Sequence, residues 1–252
     1  MLQMIHPEHN EHQTQIPNPP PPFTASSHAT DGKKHLLLAA SGSVATIKIP
    51  NILRALSTHT NLSILLILTK SATNFLAGQS AEQPHVETLR QIPNVDGIFL
   101  DEDEWVYAWR RGQGILHIEL RRWAHVLVVA PLSANTLAKI TGGFADNLLT
   151  SVVRAWDTEG VIEGQGGKRR IVVAPAMNTA MWRHPVTRRQ IRVLEEEWGV
   201  GDEDGGESES QGWFEVLRPQ EKELACGDVG DGAMKAWEDI VGVIKKRLGL
   251  GQ

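Results

Sequence analysis

Five short apolar runs constrain this chain more than any other feature. They are His35–Ala40 (HLLLAA), Ser63–Thr69 (SILLILT), Val95–Leu100, Val126–Ala130 (VLVVA) and Ile171–Ala174 (IVVA). Four are continuous rather than alternating, the pattern of strands buried on both faces. Val95–Leu100 is the weakest of the set. Between them lie stretches of helical character: residues 44–57, His117–Trp123, Ala134–Ile140 and Asn147–Trp156. Strands alternating with helices predict an α/β fold, a mostly parallel sheet with helices on both faces. Ligands of such sheets sit beyond the carboxyl ends of the strands.

Residues 32–252 read as one such domain. Residues 1–31, rich in Pro, His, Gln and Asn and containing PNPPPP, carry too few apolar groups to offset the entropy of ordering and read as a disordered tail. Two further stretches, Glu159–Lys168 and the acidic Val200–Gly212, read as surface loops. The net charge of −5 argues against a nucleic-acid partner. No apolar run reaches the ~18 residues that span a bilayer, and the N-terminus has no secretory pattern. With the single cysteine, Cys226, this points to a reducing, cytoplasmic setting.

The unusual residues follow the strands. Ser41-Gly42-Ser43-Val44-Ala45 is a small-residue turn opening a helix, where backbone N–H groups can meet a phosphate; a plain turn reads equally well. Pro50 implies a kink or an interruption in the helix that follows. Ser133, Asn135 and Thr136 offer donors at the next such turn, more than an ordinary N-cap needs. In Ala174–Trp182 (APAMNTAMW), Asn178 suits a substrate amide or carboxylate, whereas Met181 and Trp182 read as core. Cys226 lies in Ala225–Met234 (ACGDVGDGAM), a polar, glycine-rich flap where a reactive thiol and an inert one are both open readings. His117, at a helix start, reads as an acid–base group or as a structural histidine. His125 opens a strand and reads as packed. The histidines lack metal-ligand spacing.

Taken in order, SGSVA, LHIELRRWA, APLSANTLAKI, DNLLTSVVRAW, APAMNTAMW and ACGDVGDGAM resemble the homo-oligomeric flavin-containing cysteine decarboxylases. The similarity is greatest to the eukaryotic phosphopantothenoylcysteine decarboxylases, including the plant and fungal halotolerance proteins, and covers about residues 33–247. The resemblance implies a Rossmann-like three-layer flavoprotein fold. It implies FMN held by Gly42, Ser43, Val44, Thr69, Lys70, Ser71, Ser133, Ala134, Asn135, Thr136 and Ala176. It implies substrate held by Asn178, Ala225 and Met234, with His117 and Cys226 catalytic. Plant members carry an arginine three residues before the cysteine, where this chain has Glu223; a carboxylate there repels an anionic substrate, and Lys222 is the adjacent cation.

The implied activity is decarboxylation of phosphopantothenoylcysteine to 4′-phosphopantetheine in coenzyme A biosynthesis. Oxidation of the thiol-bearing carbon to a thioaldehyde creates the electron sink that loss of CO2 needs, and the enethiol is then reduced and protonated. The resemblance also implies a homotrimer, or a hetero-oligomer with a paralogue, in which His117 and Cys226 meet from different subunits. Fungal relatives also inhibit a Ser/Thr phosphatase, which makes a regulatory subunit the competing reading; the presence of both His117 and Cys226 favours an enzyme. Among other flavoproteins of this fold, a peptidyl-cysteine decarboxylase stays open, whereas the ACGD flap argues against a prenyl-flavin-making transferase.

Overall fold

The structure, a computed structural model, describes residues 23–106, 108–162, 167–201, 212–223 and 229–251. At its centre lies β1 (Lys34–Ala40), flanked by β2 (Leu62–Leu68) and β4 (Val126–Leu132). Beyond β2 lies β3 (Val95–Leu100); beyond β4 lie β5 (Arg170–Pro175) and β6 (Phe214–Val216). Every pair in this sheet, ordered β3-β2-β1-β4-β5-β6, is parallel. The five apolar runs are the first five strands, to within two residues at each end. The sixth, three residues long at the sheet edge, is too short to leave a periodic signal.

The continuous apolar character of β1 follows from its place between two helical layers. Successive side chains point to opposite faces. Leu36 and Leu38 pack with Ile52 and Leu53 of α1 (Ile49–Leu56) and with Ile240 and Ile244 of α9 (Trp237–Leu248). Leu37 and Ala39 face the other way. They share a core with Leu120 and Trp123 of α4 (Leu116–Trp123), Leu137 of α5 (Ala134–Thr141) and Val152 of α6 (Leu148–Arg154). Leu36 through Ala40 are all fully buried. Pro50 stands in the first turn of α1, after a separate 3-10 segment at Val44–Lys48. Its missing N–H costs nothing there, so the interruption it implies falls at a helix junction.

From β1 the chain winds outward to β2 and β3, and from β4 outward to β5 and β6. The direction reverses between β1 and β4, and the crevice of such a sheet opens at that point. Ser41, just past β1, ties the two strands together. Its N–H and its hydroxyl each donate to the Pro131 carbonyl at 3.0 Å, and its Oγ accepts from the Ser133 N–H at 2.8 Å. The remaining helices are short: α2 (Lys70–Thr73), α3 (Val86–Leu89), α7 (Thr179–Arg183) and α8 (Pro185–Arg192). Among the described residues no helix is long and apolar enough to cross a membrane.

Three sequence-based expectations change. Residues 23–31, assigned above to the tail, are packed on the domain. Phe23 meets Phe99 and Trp123 edge-on, Ala25–His28 forms a 3-10 turn, and the Ala25 N–H donates to Glu119 Oε2 at 2.8 Å. The Phe23 and His28 rings, the Asp31–His35 pair and this backbone bond anchor a segment whose composition alone gives no such signal. Residues 1–22 lie outside the described residues, as do 163–166 and 202–211 of the two loop insertions. Met181, read as core, is 45 % exposed. The glycine-rich flap begins and ends in structure: β7 (Gln220–Glu223) and β8 (Val229–Ala233) pair antiparallel, and residues 224–228 between them lie outside the described residues.

At the amino ends of the strands, His125 stacks on His35 and accepts its backbone N–H at Nδ1, 2.8 Å away, which requires an unprotonated nitrogen. Desolvation first, then the neighbouring His35, Arg169 and Lys34, push His125 down to about 4. An unfolded histidine titrates near 6.5. Between these values the unfolded chain takes up a proton that folded His125 refuses, so stability is lost as pH falls from about 6.5 to about 4. Urea melts across that range will show a shallower loss for His125→Gln than for the unaltered protein. Ser41→Ala leaves the Ser133 N–H buried without its acceptor. It will lower the unfolding free energy by about 1–3 kcal/mol at neutral pH.

Candidate active site at the carboxyl ends of the strands

Four strand-to-helix turns converge at this end of the sheet, and each carries its own polar cap. Ser43 accepts from the Ala45 N–H, Thr69 from Ala72, Ser133 from Thr136 and Asn178 from Met181. A side-chain cap satisfies one of the N–H groups exposed by a helix start and leaves the others for a ligand or solvent. The capping and anion-binding readings of these turns are therefore compatible. Ser133 Oγ is also 3.2 Å from Thr136 Oγ1, and both residues are buried, while Asn135 is exposed.

The first two turns are pressed together. A Cβ added to Gly42 would stand 2.5 Å from the Cβ of Ser71, so only glycine lets these loops approach as they do. The second turn is in turn linked to the end of β3, where Asp101 Oδ2 accepts the Lys70 N–H at 3.1 Å. The loop after β5 is held from the other side. The Met177 N–H donates to the Gly232 carbonyl at 3.0 Å, and a Cβ on Gly232 would come within 2.3 Å of the Met177 carbonyl oxygen. The β7–β8 hairpin thus sits directly over the Asn178 turn.

A cleft of about 410 Å³ lies between the first turn, the loop after β5, the β7–β8 hairpin and the start of α9; Gly42, Thr69–Ser71 and Ser133–Thr136 do not line it. Of the residues singled out from the sequence, Ser43, Val44, Ala176, Asn178 and Met234 line it. Lys48 and Lys235, the latter 3.5 Å from Asp239, add positive charge to its wall beside the carboxylate of Glu238, and Trp237 adds an aromatic surface. These three are absent from the sequence-derived set. Lys235 directly follows a recognised motif, and Lys48 and Trp237 lie three residues beyond one; only the approach of α9 to the first turn brings them to one cleft.

His117 stands elsewhere. It begins α4, which packs on the opposite face of the sheet from α1 and α9, and it does not line the cleft. Its ring is 21 % exposed, and its Nδ1 lies 2.8 Å from Oε1 of Glu104, a carboxylate only 5 % exposed. Glu104 belongs to the Asp101–Trp105 turn (DEDEW) after β3. A run of acids reads from sequence as a solvated surface, so nothing in the pattern singles out the one that turns inward. Cys226 and Ala225 lie outside the described residues; the flanking strands β7 and β8 are the described frame of the flap.

The sequence model of the flavoprotein family matches residues 24–249. A probable phosphopantothenoylcysteine decarboxylase of Arabidopsis thaliana is 44 % identical over 203 residues, covering 80 % of this chain and 82 % of that protein. Against two longer curated relatives the chain spans only 35 % and 36 % of their length. Two solved structures share the fold. The FMN binding protein AtHal3 aligns with a TM-score of 0.65 at 38 % identity, over 87 % of this chain and 99 % of that one. A Cys-to-Ser mutant of PPC decarboxylase complexed with pantothenoylaminoethenethiol aligns with a TM-score of 0.64 at 39 % identity, over 85 % and 97 %. With a parallel sheet of matching fold and a family match that runs from the docked N-terminal turn through α9, this chain belongs to the flavoprotein family.

Proposed function

We propose that this protein is an FMN-dependent decarboxylase acting on 4′-phosphopantothenoylcysteine in coenzyme A biosynthesis. The observation that carries the reading is the cleft itself. Ser43, Val44, Ala176, Asn178 and Met234, drawn from three separate motifs, line one space at the switch end of the sheet. Similarity to an FMN-binding protein and to PPC decarboxylases over most of the chain supports it.

The residues present suit a flavin phosphate. The Gly42–Ser71 approach leaves room for backbone rather than side chain, and the turn N–H groups supply donors. Gly42, Ser43 and Val44, Thr69–Ser71, Ser133–Thr136 and Ala176 would hold the cofactor. When bound, FMN supplies the two-electron couple that oxidises the thiol-bearing carbon of the substrate and later returns the electrons. Asn178 would hold the substrate carboxylate with its amide while its Oδ1 caps α7. Lys48 and Lys235 would draw in the anionic end of the substrate. Met234 and Ala225 would close over it, and Cys226 would deliver the last proton to the reduced product. A reducing compartment, the cytoplasm, suits a reactive lone thiol.

His117 requires a second copy of the chain in this reading, because it lies on the other face of the sheet from its own cleft. A homotrimer supplies it from a neighbour. Exposed Trp105, Trp109 and Phe144 offer apolar surface for that contact.

The test is purification, the flavin absorbance band, and CO2 release from phosphopantothenoylcysteine. Cys226→Ser will release CO2 but stall before the reduced product. His117→Asn will lose about 100-fold or more of the CO2 release, the scale of a missing acid–base group. Full activity in both variants would overturn the assignment, as would a colourless protein. Gly42→Ala, by forcing Ser71 away, will weaken FMN binding about tenfold or more, equivalent to ~1.4 kcal/mol.

A further inference from the structure

We infer that Glu104 is a positioning residue for His117, setting which ring nitrogen carries the proton and which is left to act. The inference rests on the functional reading above for the role of His117, but its geometry stands alone. Glu104 Oε1 lies 2.8 Å from His117 Nδ1, and the carboxylate is 5 % exposed. Its other oxygen, Oε2, is buried with no hydrogen-bond partner among the described residues. An ionised carboxylate can only accept, so in this pair Nδ1 carries a hydrogen and Nε2 is the nitrogen left to exchange a proton.

The site gives the carboxylate a reason to be there. His117 is the second residue of α4, at the helix end where the backbone dipole is positive. A proton arriving at Nε2 makes the ring a cation in a place that disfavours one. A buried anion against Nδ1 offsets that and keeps the ring from rotating. The desolvation of Glu104, with Oε2 unpaired, is a standing cost that a pair serving only to tie two surface elements together does not require.

Glu104 is itself fixed from both sides of its turn. The Asp103 carboxylate accepts the Leu100 N–H at 2.7 Å, and Asp101 accepts the Lys70 N–H at 3.1 Å. Lys70 belongs to the second turn proposed to hold FMN. One short acidic turn therefore connects a cofactor loop to the histidine: Asp101 faces the loop, and Glu104 faces His117. The acids at 101, 103 and 104 divide these tasks among themselves.

The experiment compares the unaltered protein with Glu104→Gln and Glu104→Ala, each loaded with FMN and with its melting temperature recorded. Long-range proton–nitrogen NMR on histidine-labelled protein reads the His117 tautomer, with His117→Asn identifying its signals. The unaltered protein will show hydrogen on Nδ1. Glu104→Gln, whose amide oxygen still accepts, will keep that tautomer; Glu104→Ala will lose it. CO2 release will fall in kcat by about 10-fold for Gln and about 100-fold for Ala, with KM within about twofold, the scale expected when the partner of a functional imidazole is removed. Should Ala fail to fold, the isosteric Gln variant still carries the kcat comparison. Hydrogen on Nε2 in the unaltered protein, or an unchanged kcat in Glu104→Gln, overturns the inference. If the unaltered protein shows no decarboxylation, the functional reading fails instead, and the tautomer still decides the pairing.

Discussion

Ser41 is bonded on both sides at the place where the sheet reverses direction. Its hydroxyl gives a hydrogen to the Pro131 carbonyl and takes one from the Ser133 N–H, both buried. Pro131 has no N–H of its own, and the β4–β5 register shifts between Val129 and Leu132, so the end of β4 has lost part of its ladder. The serine adds hydrogen bonds from the neighbouring strand where that ladder is interrupted, at the Pro131 carbonyl and the Ser133 N–H. With β1 and β4 held together past their last paired residues, the turns after each lie side by side. The position of Ser133 depends on this. The cleft is built by backbone proximity at a sheet end, with side chains placed only afterwards.

That arrangement places the candidate site residues on two faces of the sheet. α1 and α9 bring Lys48, Lys235 and Trp237 to the cleft from one layer, while α4 presents His117 from the other. A strand with apolar side chains in both directions keeps the layers apart, so no single chain brings His117 to its own cleft. The acidic turn after β3 is the element that joins the two regions. It contacts the second turn through Asp101 and the histidine through Glu104. The β7–β8 hairpin completes the cleft from above, seated on Met177 through Gly232.

Much of this was legible in the amino-acid order. Continuous apolar runs mark a strand buried on both faces, because no other common setting tolerates six such side chains in a row. Small or polar residues after each run mark the turns, because helix starts need an acceptor and close loops need glycine. Asn178 and Ser43 were found this way, Met234 through the family resemblance, and the three share a cleft. Other features gave no local signal. Phe214–Val216 is too short for periodicity, and Met181 carries an apolar side chain yet is exposed. Phe23 anchors a stretch whose composition otherwise reads as unstructured.

The sequence by itself determined the strand–helix alternation, the place of the turns and the family of chemistry, since each rests on neighbours a few residues apart. Only the tertiary structure decided which turns touch, which cations reach the cleft, and that one acid of DEDEW points inward to His117. Those outcomes depend on segments 13 to some 190 residues apart, as in the Glu104–His117 pair and in the lining of one cleft by both Lys48 and Lys235. Burial, and with it the strength of a charge, is a property of the packed chain rather than of any residue in it.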